Sequence, residues 1–317
     1  MTESLGEVFS FLHYGFIQRA FVVGIFVGAT CALLGVFLVL KKMSLIGDGL
    51  SHVSFGAVAL GLFWGASPLF VAVPVVLVAS VAILWISKYA KLYGDAAIGV
   101  VSAIGIAFGV LLASLSGGFT VDLLGLLFGN ILAVTTGEVI SSIILFLLVS
   151  TVVIFLYWDL FSVTFDEEYA QSTGVRVELL DMLLAVLTGI TVVLSLKIVG
   201  VMLVSAFLIL PAITALQFSR GFFNTILIAE GATLFSILFG ITFSFFWNIP
   251  AGATIALFLA TLFVGSFLIK SFSRFSKNAR MLREKRQLFE AKVPCVFEEK
   301  ADSFFVQMKE DFFFFPF

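Results

Sequence analysis

The sequence predicts an all-α protein that crosses a membrane about nine times. Of its 317 residues 61% are hydrophobic and only 12% charged, and the mean hydropathy is +1.18. The charges are gathered in short stretches between long apolar runs. A soluble domain is about half apolar and about a quarter charged. An apolar excess of this size cannot be hidden inside one globule, so lipid must be part of the solvent and the chain's main physical partner.

A bilayer core takes about 20 mostly apolar residues per helix. The runs that meet this are Ile17–Leu40, Leu45–Trp64, Leu69–Ser87, Ala96–Leu115, Gly137–Tyr157, Leu179–Leu196, Val199–Gln217, Phe222–Trp247 and Ala251–Ile269. The chain thus divides into an N-terminal segment (1–16), a transmembrane domain (17–270) and a C-terminal tail (271–317). Gly118–Thr136 is apolar but broken by glycines and Asp122, which suits a re-entrant or interfacial helix. Glu3 and Glu7 stand where a secretory signal would be basic, so no cleavable signal is expected.

Short loops rich in Lys and Arg face the cytoplasm. Lys41, Lys42, Lys88, Lys91, Arg176 and Arg220 follow odd-numbered spans, and the tail after Ile269 is basic. The opposite turns, Gly65–Pro68 and Asn248–Pro250, carry no charge, while Arg19 and Lys197 depart from the pattern. The N-terminus is therefore expected outside and the tail in the cytoplasm.

Some functions are excluded by what is missing. The net charge of −2 says nothing about nucleic acid, and no nucleic-acid partner is expected. No G-x-x-x-x-G-K-[ST], H-E-x-x-H or G-x-S-x-G occurs, so the chain carries neither a P-loop nor a hydrolase signature. It is not expected to be an enzyme. Cys31 and Cys295 form no C-x-x-C pair.

A charged side chain in a membrane helix costs roughly 2.5–3.5 kcal/mol on insertion scales, so each one needs a reason. Within Gly47-Asp48-Gly49-Leu50-Ser51-His52, Asp48 and His52 are four apart and share one face of a helix. A carboxylate oxygen beside an imidazole nitrogen suits a borderline divalent cation such as zinc, manganese or iron. The alternative is that Asp48 caps the second helix and His52 hydrogen-bonds to it. Gly47, Gly49, Ser51, Ser54 and Gly56 are small enough to admit close backbone approach. Glu230, about a third of the way into its span, reads as a polar group near the cytoplasmic edge or, alternatively, as a bundle-facing polar contact, and Asp95, Glu178 and Asp181 read as interfacial or capping residues. Gly99/Gly105/Gly109 and Gly231/Gly240 read as helix-packing stripes.

Lys42-Met43-Ser44-Leu45-Ile46-Gly47-Asp48-Gly49-Leu50-Ser51-His52 resembles the R-M-S-L-x-G-D-A-x-S-H signature of the zinc/manganese/iron ABC importer permeases. Asp95–Gly99, Asp122–Thr135, Gly200–Ala215 and Pro250–Leu257 resemble further motifs of that family, in the same order. Gly49 replaces the usual Ala, and the Pro often found after the His is missing.

The resemblance implies a type II importer fold and a translocation path for a divalent metal ion past Asp48 and His52, with no permanently bound cofactor. It also implies a cytoplasmic ATPase dimer, an extracytoplasmic metal-binding protein and a second permease, identical or paralogous. Asp166–Val175 is similar to the family's ATPase-coupling region, which points to Asp166, Glu167, Glu168, Ala170 and Gly174. Physically this is a short acidic helix ended by Gly174. The competing class is a gradient-driven secondary transporter or channel, which often shows two similar halves and several intramembrane acids.

The charge asymmetry yields a topology test. In a Cys-free background, a cysteine at Asn248 should react with an impermeant thiol reagent in intact cells, and cysteines at Lys91 and Ser273 should not. Labelling at Ser273 from outside would change the span count by one.

Overall fold

The computed structural model of the chain describes residues 14–89, 94–115, 129, 134–201 and 203–292. Among these, regular structure is helix: α1 Gly15–Leu40, α2 Ile46–Phe63, α3 Pro68–Tyr89, α4 Gly94–Leu115, α5 Thr136–Phe155, α6 Tyr157–Phe165, α7 Glu167–Ser172, α8 Val177–Val199, α9 Val204–Phe218, α10 Phe222–Trp247 and α11 Ala251–Lys292. Eight are long and apolar enough to cross a membrane. Most of the Gly118–Thr136 segment and the tail from residue 293 lie outside the described residues.

By contact the chain divides into two units, Met1–Ser266 and Phe267–Phe317. The described part of the second unit is helical as far as Lys292 and holds the basic stretch. In the first unit the apolar windows of α1, α2 and α8 are 78%, 72% and 61% buried, against 22–33% for α3, α4, α5, α10 and α11. The former are the core and the latter lie at its periphery. Helix α1 is the axis, packing on α10, α9, α5 and α8, while α2 lies between α3 and α4 and also touches α8 and α9.

Small residues set these distances. A Cβ on Gly56 would come 2.6 Å from the Gly105 carbonyl oxygen, and one on Gly105 would come 2.7 Å from Val53 Cα. Helices α2 and α4 therefore meet backbone to backbone, the geometry that small residues permit in membranes. Gly109 and Gly240 belong to the same kind of contact, against Gly56 and Ile255. Gly99 and Gly231 do not, because nothing lies within 4 Å of a Cβ placed on either.

The seventh expected span, Val199–Gln217, is broken at its start. Gly200 takes φ 89°, closing α8, and α9 begins only at Val204. Its 15 residues reach about 22 Å at 1.5 Å per residue, less than the roughly 30 Å hydrocarbon core. Irregular backbone at such a depth has to be covered by protein. Here Val199 and Val201 are buried, and Gly252 backs onto the Val199 carbonyl, where a Cβ would sit at 2.9 Å. Gly129 closes on the same Val199–Gly200 peptide, where a Cβ would sit 2.5 Å from the Gly200 nitrogen.

Between the fifth and sixth spans the chain forms α6, which sequence reading had not separated from its neighbours. Tyr157 of α6 meets Phe222 of α10 at a tilt and Phe161 meets it edge-on, and Phe222 in turn meets Phe37 of α1 edge-on at 5.2 Å. This aromatic knot fixes the place from which α7 departs.

Two glycines inside helices separate packing from propensity. Gly105→Leu should destabilise the fold by about 1–3 kcal/mol or more through overpacking of α2 on α4. Gly231→Ala, facing open space, should be neutral or stabilising by up to about 1 kcal/mol. Thermal unfolding of the detergent-solubilised protein distinguishes the two.

Candidate functional site: an Asp–His pair on α2 and the acidic helix α7

Helix α2 begins after a tight turn in which Lys42 takes φ 58° and the Met43 N–H donates to Leu38 O at 2.9 Å. Its N-cap is Leu45, so Asp48 lies inside the first turn and is not the capping residue. There its negative charge is favoured by the helix dipole. One turn on, His52 Nε2 stands 3.5 Å from Asp48 Oδ2. The pair foreseen from the spacing is therefore formed, with both side chains converging on one side of α2.

Its surroundings are made of small groups. Ser51 and Ser54, both fully buried, donate their hydroxyl protons back to the carbonyl oxygens of Asp48 and Leu50, both at 2.7 Å. Gly47 lies against Leu208 of α9. A Cβ on Gly49 would come 2.5 Å from Ile98 Cγ2 of α4, which explains why Gly stands where the related signature has Ala. The Asp48 and His52 side chains keep 44% and 21% exposure on a helix otherwise largely buried. Among the described residues no group of three or more His, Cys, Asp or Glu side chains gathers to hold a metal. The pair presents one carboxylate and one imidazole side by side, both partly exposed.

Helix α7 is a closed local unit. The Asp166 carboxylate accepts from the Tyr169 N–H at 2.9 Å, which caps the N-terminus. At the other end Gly174, at φ 87°, donates to Gln171 O while the Val175 N–H donates to Ala170 O, both at 3.0 Å. These two bonds are the Schellman closure. Sequence reading placed Ala170 on the face offered to a partner, but Ala170 is fully buried and seats α7 on its own chain. The outward face is made by Glu167, Glu168, Tyr169, Gln171 and Ser172.

A third feature was not foreseen. Lys41, the C-cap of α1, places its ammonium group 3.2 Å from Glu167 Oε1 of α7 and also pairs with Asp181 of α8. Lys88 at the end of α3 pairs with Glu178 at the start of α8. The turns after the first, third and fifth spans are thus tied together at one end of the bundle. The signal in the sequence was Asp181, set one turn inside an apolar run, where a carboxylate needs a cation.

Glu230 differs from expectation as well. Phe222 marks the near end of α10 by its contact with Phe37, and Gly28 of α1 meets Thr233 and Ile237. Glu230 lies between these levels, close enough to Cys31 to interact electrostatically. It stands within the bundle and not at its edge.

These features can be set beside known proteins. The profile of the ABC 3 transport family matches residues 13–270. The manganese transport system membrane protein MntC of Halalkalibacterium halodurans is 34% identical over 256 residues, 81% of this chain and 88% of that protein. The high-affinity zinc uptake system membrane protein ZnuB of Haemophilus influenzae is 32% identical over 245 residues, 77% of this chain and 94% of that one. Among solved structures, PsaBC from Streptococcus pneumoniae in complex with Fab superposes with a TM-score of 0.74 at 30% identity, covering 83% of this chain and 95% of that one. A putative metal-chelate type ABC transporter in an inward-facing conformation shares the fold, with a TM-score of 0.61 at 22% identity over 80% of this chain and 87% of that one. The chain is a transport component and not an enzyme, a multi-pass protein of the bacterial inner membrane; it belongs to the ABC 3 transport family as a metal ABC transporter permease.

Proposed function

We propose that this permease carries a divalent transition-metal ion into the cytoplasm past Asp48 and His52, driven by an ATPase dimer that docks on α7. The observation that carries the reading is the Asp48–His52 pair itself, formed at 3.5 Å and left partly open on an otherwise buried helix. A dication brought there gains a hard oxygen and an imidazole nitrogen in place of hydration water, and its charge offsets that of the carboxylate. Two side chains do not complete a coordination shell. Water, a backbone carbonyl or a second permease, identical or paralogous, would supply the rest.

Relatives named for manganese and for zinc support either metal as cargo, and oxygen/nitrogen ligation also accepts iron. An extracytoplasmic metal-binding protein would deliver the ion to the side away from α7. The transport domain is residues 17–270, flanked by the short N-terminal segment and the 271–317 tail. Membership of an ABC transport family weighs against a gradient-driven mechanism.

Asp48→Ala and His52→Ala should each lower Mn²⁺ or Zn²⁺ uptake by at least about tenfold, the scale on which altered metal shells lose affinity or activity. Insertion of the protein and retention of the ATPase should be unchanged. Near-normal uptake in either variant would reduce the pair to a helix-start feature.

Docking is tested on the outward face of α7, not at Ala170. Glu168→Arg combined with Tyr169→Ala should leave the helix seated by Ala170 and closed by Gly174. Co-purification of the ATPase should nevertheless be lost. Full retention would place the ATPase elsewhere.

A further inference from the structure

The α1–α2 turn that precedes Asp48 is stiff. Lys41 N–H donates to Phe37 O at 2.9 Å, Lys42 N–H to Val39 O at 3.1 Å, Met43 N–H to Leu38 O at 2.9 Å, and Ile46 N–H to Met43 O at 3.1 Å. With so many backbone bonds in a few residues, a force on the turn moves it as a body together with the start of α2. The one side chain that reaches from this turn to α7 through an ion pair, among the described residues, is Lys41.

Its position is unusual for a lysine. The side chain is 4% exposed, lying beside Leu38, Met43, Ile46, Leu184 and Ala185, and its ammonium group is shared between Glu167 and Asp181. Asp181 neutralises the charge from the fixed wall of α8, while Glu167 connects it to the short helix. The Lys41 ammonium and the Asp181 carboxylate are largely withdrawn from water and so weakly screened, whereas the Glu167 side chain is 55% exposed and joins the buried ammonium from the solvent side. The Lys88–Glu178 pair at the same end provides the contrast, with side chains 59% and 79% exposed and no part of α7 in it.

We propose that Lys41 is a positioning residue for transport: its buried ammonium group links α7 to the α1–α2 turn, so that displacement of α7 by the docked ATPase is carried to the helix bearing Asp48 and His52. The inference rests on the permease reading above and adds the route of coupling. Glu167 is the movable end of this link, Asp181 its anchor and Lys41 the strut. Asp181 stabilises Lys41 whether or not α7 moves, so loss of the Glu167 arm alone does not strand a buried charge.

The test uses the full chain reconstituted with its ATPase in proteoliposomes, measuring ATP hydrolysed and Mn²⁺ or Zn²⁺ taken up on the same vesicles. Glu167→Gln should raise the ATP consumed per ion by about fivefold or more, the lower end of ordinary coupling effects, with the ratio taken per retained ATPase because Glu167 also lies on the docking face, and the melting temperature should stay at the wild-type value. Glu178→Gln, which opens only the exposed pair, should leave the ratio unchanged. Lys41→Met should uncouple as Glu167→Gln does, and Lys41→Arg should recover most of the loss. If Lys41→Met fails to insert, Glu167→Gln decides the matter by itself. A wild-type ratio in Glu167→Gln overturns the inference, as does an uncoupling that simply follows loss of bound ATPase. A wild-type chain that retains no ATPase and takes up metal without ATP overturns both this inference and the permease reading.

Discussion

Hydrocarbon offers no hydrogen bonds, and this single fact shapes the molecule from backbone to site. Main-chain groups must be satisfied within the segment, which gives helices. Hydroxyls inside the bundle obey the same demand by folding back on their own helices: Thr30 to Phe26, Thr188 to Leu184, Thr191 to Leu187 and Thr233 to Ala229, each donating to the carbonyl four residues earlier. Having done so they offer little attraction between helices, apart from contacts such as Cys31 with Ser195 at 3.9 Å. Association therefore falls to shape, and the glycines that let α2 sit against α4 take the part that a hydrophobic driving force plays in water.

The same demand sorts the charges. Lys41, Asp181, Lys88, Glu178 and Glu167 neutralise one another at one end, where α7 also lies. Asp48 and His52 stand apart from this group: a polar pair in the first two turns of the central helix α2, set 3.5 Å from each other. A protein that tolerates such a pair in a place so costly for polar groups has a use for it. Under the proposed function that use is the cargo.

Much of this was legible in the chain. Long apolar runs fixed eight membrane helices, and four-residue spacing fixed the Asp48–His52 face, because both are local consequences of helical geometry. The loop helix α7 was legible for the same reason, since Asp166 and Gly174 are its cap and its stop. What escaped were properties of the third dimension. Nothing in Ala170 itself tells whether its methyl faces in or out, and Lys41 finds Asp181 across 140 residues of sequence. The break at Gly200 was hidden because Val199–Gln217 is apolar throughout. Only the crossing backbones of Gly129 and Gly252 give that glycine its reason. Glu230 was misplaced by counting residues from a helix end without knowing how far α10 reaches past α1.

The openness of the α2 pair bears on time as well as on affinity. A cation enclosed by a full set of protein ligands sits in a deep well and escapes slowly. One held by a carboxylate and an imidazole, with water on its remaining sides, sits in a shallow well and has a short dwell. Conduction favours the shallow well, since a site must bind tightly enough to admit the ion and loosely enough to release it. Discrimination between metals of similar size would then be made before the ion reaches α2. On its way through the membrane the cation would meet a stepping stone and not a reservoir.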